Sequence, residues 1–126
     1  MILVVDTSVF IDHLRGDERA TQALRAAEAN RDELWSAVVV RTEILAGMRK
    51  GEESRTRALL DAISWQDITV EVADRAGQLA RRYLRSHRGV DTMDYLIAAT
   101  TQLLGGRLLT QNVKHFPMFP RLASAY

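Results

Sequence analysis

Cysteine is absent from the sequence. That excludes disulfides and thiolate metal sites, so any metal this chain holds must take oxygen or imidazole ligands. Apolar residues nowhere run to the roughly 20 consecutive positions that cross a bilayer, and the first residues show no basic stretch followed by a cleavage motif. A cytoplasmic protein with no membrane attachment is expected. Charge of one sign is lacking too: the net charge is +1 at pH 7, so no overall field draws nucleic acid and any binding surface must come from local clustering. The glycine-rich phosphate loop of common ATPases is missing. Proline occurs only twice, at Pro117 and Pro120, and discourages regular structure after about residue 116. What is present is ordinary for a folded protein: 126 residues, 47% hydrophobic and 26% charged. This is enough chain for one core and too little for two independent ones, so a single domain over residues 1–126 is expected.

The most informative stretch is Met1 to Ser8. Ile2, Leu3, Val4 and Val5 form an aliphatic run without polar alternation, the mark of a strand buried on both faces, and it stops at Asp6, Thr7 and Ser8. Asp6 thus ends a central strand, where ligands bind in open α/β sheets. Phe10, Ile11 and Leu14 then follow helical spacing up to Gly16, and Asp17 caps a second helix that buries Ala20, Leu24 and Ala27. A short strand at Leu34 to Ser36 precedes a helix from Val38 to Arg49, with Ser36 expected to cap it. A polar helix is expected from Glu52 to Ile63, a strand from Gln66 to Val70, and an amphipathic helix from Glu71 to His87. A last helix runs from Asp91 to about Leu104. Gly105 and Gly106 end it, a strand covers Arg107 to Thr110, and a loop or helical turn follows from Gln111 to Phe116. Strands alternating with helices indicate an α/β fold, a central parallel sheet of about four or five strands flanked by helices and joined by right-handed crossovers.

Four acids stand out. Asp6 ends a strand, Glu43 interrupts an apolar helix face, and Asp91 and Asp94 are three apart at a helix start, on the same side. Singly, each has a structural reading: an acid after a strand caps the next turn, a helical glutamate is solvated, and Asp91 serves as an N-cap. Brought into one pocket by parallel topology, they would repel and must take up protons or bind a cation. A hard divalent ion, Mg²⁺ or Mn²⁺, suits such oxygen ligands. Thr7 and Ser8 could orient the Asp6 carboxylate, or Ser8 could cap the first helix. Thr110 and Asn112 end the last strand at the same sheet edge, where Asn112 presents an amide to the site or makes a turn.

The segments Val4 to Ser8, Thr42 to Ile44, Asp94 to Ala99 and Thr110 to Phe116, in this order and spanning the chain, resemble the PIN-domain proteins, specifically the VapC toxins of bacterial toxin–antitoxin pairs. The resemblance implies a Mg²⁺- or Mn²⁺-dependent endoribonuclease, homodimeric and held inactive by a cognate VapB-type antitoxin. It places the family's first acid on Asp6, its helix acid on Glu43 and the acid before the Leu-Ile-Ala-Ala run on Asp94. Where many relatives carry a fourth acid this chain has Asn112, so an acidic quartet depends on Asp91.

The mechanism expected on this basis has Asp6 and Asp94 holding a divalent ion, with Asp91 and Glu43 contributing. Glu43 acts as general base for water attack on a phosphodiester, leaving a 5′-phosphate and a 3′-hydroxyl. Structured RNA is the expected substrate, tRNA or rRNA, read at single-stranded loops. Arg41, Arg49, Lys50, Arg81, Arg82, Arg85, Arg88 and Lys114 are candidate phosphate contacts, against the alternative of solvated helix faces. Trp35 and Trp65 fit core packing better than base stacking. His13, His87 and His115 lack ligand spacing and are assigned to no metal. A receiver-like signalling domain shares the α/β alternation and an acidic pocket, but no strand after the first ends in Asp. A PIN fold that only binds RNA is disfavoured by the presence of Asp6, Glu43 and Asp94.

Overall fold

The computed structural model describes residues 1–126. The aliphatic run Ile2–Val5 is strand β1, and it lies inside a four-stranded sheet of order β3-β2-β1-β4 with β2 at Glu33–Ala37, β3 at Ser64–Gln66 and β4 at Arg107–Leu109. Every pairing is parallel: Ile2 stands beside Glu33, Val5 beside Leu109, and Ala37 beside Gln66. Six helices cover the sheet: α1 Thr7–Leu14, α2 Glu18–Ala29, α3 Val38–Ala46, α4 Glu53–Ala62, α5 Val70–Tyr83 and α6 Thr92–Leu103. With helices on both faces, β1 needs no polar side, which explains its unbroken apolar run; Val4 and Val5 are wholly buried.

The main core joins Val4, Val5, Phe10, Val40, Ile44, Leu60, Ile97 and Phe116 across these layers. Burying each such side chain contributes about 1.5–3 kcal/mol relative to exposure. A smaller cluster of Val72, Ala76, Val90, Tyr95 and Ala99 seals α5 against α6. Both expected tryptophan placements hold: Trp35 and Trp65 pack against the main core, and Trp65 donates its indole N–H to the Leu60 carbonyl at 2.9 Å.

Topology puts the important helix ends together. Because β4 runs parallel to β1 and follows α6 after a two-glycine turn, α6 runs back against the strands and begins at the sheet's carboxyl edge, beside Asp6. Helix α3 begins at that edge as well, directly after β2. The turn needs its glycines: Gly105 has φ +64°, and a Cβ on Gly106 would sit 2.9 Å from the Ile2 carbonyl oxygen.

Several local expectations are corrected. The strand expected at Gln66 to Val70 is instead β3, which begins two residues earlier and stops at Gln66, and Val70 opens α5, because the Thr69 hydroxyl accepts the Val72 N–H at 3.2 Å and caps the helix. An N-cap and a long amphipathic face outweigh the strand propensity of Ile68-Thr69-Val70. Ser36 does not cap α3: its hydroxyl is buried and donates to the Val5 carbonyl at 2.7 Å, while Ala37 holds the cap position without a side-chain bond. Helix α3 stops at Ala46 rather than Arg49, and α5 at Tyr83 rather than His87.

Candidate active site

Asp6 is the N-cap of α1 and only 4% exposed. One carboxylate oxygen accepts the Thr7 N–H at 2.8 Å; the other accepts the Thr110 hydroxyl at 2.6 Å and the Ser8 hydroxyl at 3.1 Å. The cap of α1 is thus Asp6 itself and not Ser8, and Ser8 serves the other expected role, orienting the Asp6 carboxylate. No lysine, arginine or histidine lies within ion-pair distance of Asp6 or Glu43. Taking a carboxylate out of water without a counter-charge is expensive, even with three donors on it.

Thr7 continues the network, its hydroxyl donating to Glu43 at 2.7 Å across α1 and α3. Across the sheet edge, Asp91 and Asp94 form a reciprocal capping box: each backbone N–H is held by the other's carboxylate at 3.1 Å. The capping reading of Asp91 therefore holds, and one of its carboxylate oxygens is engaged in it. Asp94 is buried, and its pKa is pushed up to about 6, first by burial and further by the Asp91 charge; the N–H of Asp91 and the His115 ring oppose the rise.

His115, assigned no role from sequence, stands with Nδ1 3.3 Å from the Asp94 carboxylate. The signal for it was weak but present: Asn112 to His115 is three residues, one tight turn, and the structure forms a 3₁₀ turn at Val113–His115. Asn112 makes that turn through its backbone, its carbonyl accepting the His115 N–H at 2.9 Å and its own N–H going to the Thr110 hydroxyl at 2.9 Å.

Asp6, Glu43, Asp91 and Asp94, which the sequence reading brings into one pocket as metal ligands, do not form a common ligand cluster: no three acidic or imidazole side chains stand close enough together to hold an ion. They are instead spaced by hydroxyls and backbone amides, which relieve the repulsion that direct contact would bring. This donor set still fits a small hard cation, since Mg²⁺ uses one or two carboxylates and keeps several waters. Two buried carboxylates, Asp6 without a counter-charge and Asp94 with a raised proton affinity, supply it.

The basic candidates separate by position. Arg49 and Lys50 follow α3 at the far end of α1 from Asp6, where Arg15 binds Glu52 and the Gly47 carbonyl. Arg41 lies over the Trp65 ring, 5.4 Å from its centre. Arg75 near the start of α5 bonds Gln102 near the end of α6 at 3.1 Å, and the exposed Arg81, Arg82, Arg85 and Arg88 lie on the end of α5 and the short connection that leads to Asp91. Lys114 is exposed within the turn that carries His115.

The PIN domain description matches residues 3–122 of this sequence. The chain belongs to the PIN-domain family. Within it, the chain is 45% identical over 123 residues to ribonuclease VapC19 of Mycobacterium tuberculosis, covering 98% of both. It is 41% identical over 121 residues to ribonuclease VapC10 of the same organism, covering 96% of this chain and 90% of the relative. This PIN domain therefore sits in the VapC branch, as its motifs suggested. Its fold superposes on the toxin–antitoxin complex from Klebsiella pneumoniae with a TM-score of 0.82, at 30% identity and 98% coverage of both chains. It also matches VapBC2 from Rickettsia felis, bound to a promoter DNA fragment, with a TM-score of 0.80 at 20% identity. The rival receiver-like reading falls with these matches and with the strand ends themselves: β2 and β3 end in Ala37 and Gln66, and β4 runs out to Thr110.

Proposed function

We propose that this PIN domain is the toxin of a type II toxin–antitoxin pair, a Mg²⁺- or Mn²⁺-dependent endoribonuclease restrained by a VapB-type antitoxin. The observation that carries the reading is the buried Asp6 carboxylate. It is held by three donors at the carboxyl end of the central strand, lacks a counter-charge, and lies in a chain 45% identical to a ribonuclease. Asp6 and Asp94 would hold the ion, with Asp91 contributing through water. A divalent ion there supplies Lewis acidity, acidifying a water and offsetting charge on the scissile phosphate. Glu43, fixed by the Thr7 hydroxyl, takes the proton from the attacking water. Attack by water leaves a 5′-phosphate and a 3′-hydroxyl. Arg81, Arg85 and Lys114 lie where an RNA backbone could be steered toward the acids, and single-stranded loops of tRNA or rRNA are the substrates of choice. Binding of a VapB-type antitoxin is supported by kinship with VapC and by the solved toxin–antitoxin complexes, and a homodimeric, cytoplasmic state belongs to the same reading.

The test is cleavage of total RNA, tRNA included, by purified protein with Mg²⁺, Mn²⁺ or chelator, beside Asp6→Asn and Asp94→Asn. Metal-dependent cleavage lost in both variants is expected. Cleavage that survives chelation, or products ending in a 2′,3′-cyclic phosphate, would overturn the mechanism.

A further inference from the structure

Residues 123–126 are tied to the active-site loop by a connected set of hydrogen bonds that the chemistry above does not use. The Gln111 side chain accepts from the Ser124 hydroxyl at 2.7 Å and the Tyr126 N–H at 3.1 Å, and its amide donates to the Tyr126 carbonyl at 3.2 Å. One step earlier, the Ala125 N–H donates to the Thr110 carbonyl at 2.9 Å. The Tyr126 hydroxyl reaches across to Asp12 on α1 at 2.5 Å, and the Arg19 guanidinium lies over its ring at 5.3 Å.

The circuit closes on α1. The Gln111 N–H donates to the Ser8 hydroxyl at 3.2 Å, and that hydroxyl in turn donates to Asp6. Ser8 and Asp12 are four apart, on one face of α1. Starting from Ser8, the path runs through Gln111 and Tyr126 and returns to the same helix at Asp12. The loop that delivers the Thr110 hydroxyl to Asp6 and binds the Ser8 hydroxyl of α1 is therefore braced from outside the sheet.

Ala125 and Tyr126 also pack, partly buried, against the main core. A groove of about 580 Å³ lined by Leu108, Leu109, Phe119 and Leu122 among others runs alongside the segment. The polar attachments at Gln111 and Asp12 add to this packing the direction that apolar contact alone does not supply. Burial and the Asp12 bond push the Tyr126 phenol above its ordinary value, so it stays a donor at neutral pH.

We propose that Gln111 and Tyr126 are positioning residues, a clasp that holds the Thr110 to Asn112 loop and Ser8 in the arrangement that orients the Asp6 carboxylate. The inference rests on the nuclease reading for its consequence, since a preorganised Asp6 lowers the ordering cost of ion binding.

The test compares wild type with Gln111→Met, which keeps volume but removes the side-chain bonds, with Tyr126→Phe, and with Gln111→Glu, which retains two of the three. Amide hydrogen exchange on metal-free protein reads the clasp directly. The Thr7 amide, which donates to Asp6, and the Gln111 and Asn112 amides are expected to exchange about tenfold faster in Gln111→Met, with partial restoration in Gln111→Glu. Mn²⁺ affinity by calorimetry should fall about tenfold, and kcat should fall while KM holds. Unchanged exchange at Thr7 and Asn112 would overturn the clasp, as would a lowered melting temperature with undiminished Mn²⁺ affinity in the folded variant. If wild type binds no Mn²⁺, the nuclease reading fails, and the exchange rates alone still decide whether the clasp orients Asp6.

Discussion

Thr110 shows how one hydroxyl can tie a site together. It is wholly buried, donates to Asp6 and accepts from the Asn112 N–H, so it links the carboxylate to the turn that brings His115 to Asp94. Thr110→Val keeps the shape and removes both bonds. It should lower unfolding free energy by about 2 kcal/mol in urea titration, since a bond to a buried charge is worth about 1.5–3 kcal/mol. Asp94 sets a pH dependence. Its folded pKa, about 6, lies above the ordinary 3.8, so the folded state binds more protons across that interval. Its contribution to stability is therefore full below about pH 3.8 and lost as pH rises through about 6. In metal-free protein, Asp94→Asn should raise the melting temperature at pH 7.5 and have little effect at pH 3.5. An equal effect at both would contradict the burial argument.

At the scale of elements, the site depends on helix starts. Helices α1, α3 and α6 begin at the carboxyl edge of the sheet and bring Asp6, Glu43 and Asp94 there from positions far apart in the chain. Polar caps fix these starts more sharply than propensity does. Asp6 caps α1, the Asp91–Asp94 box caps α6, and Thr69 turns a β-favouring triplet into the start of α5. Thr69→Ala should cost about 1 kcal/mol by denaturant unfolding and increase amide exchange over the first turn of α5. His13 joins α1 to α2 through Thr21 at 2.7 Å; burial, with Arg55 and Arg25 nearby, holds its pKa below the ordinary 6.5. The sign here is opposite to that of Asp94: this contribution is present above about pH 6.5 and lost as pH falls through the lowered value.

For the whole molecule, the absence of a counter-charge at Asp6 makes ion binding and stability one measurement. An ion that binds the folded state alone raises its stability by mass action, by about 2.7 kcal/mol at a hundredfold excess over Kd. A scan with Mn²⁺ should raise the melting temperature of wild type and leave that of Asp6→Asn unmoved. Equal shifts in both would place the ion elsewhere.

Much of this was legible in residue order, and for identifiable reasons. The unbroken Ile2 to Val5 run reads as a strand covered on both faces, which places Asp6 at a strand end, and the alternation of strands with helices along the chain gives the parallel α/β class. Asp94 and Glu43 were visible as charges set among apolar neighbours. Local pattern also misled where two signals competed, as at Ile68 to Val70, and where Ser36 had both a helix start and a buried carbonyl within reach. Only tertiary structure decided which acids share which donors. Thr7 meets Glu43 across 36 residues, Thr110 meets Asp6 across 104, and Tyr126 meets Asp12 across 114. Those pairings depend on the order of strands and the direction of α6. Residue spacing fixes the phase of a helix or strand, but which ends meet is settled when the whole sheet closes around β1.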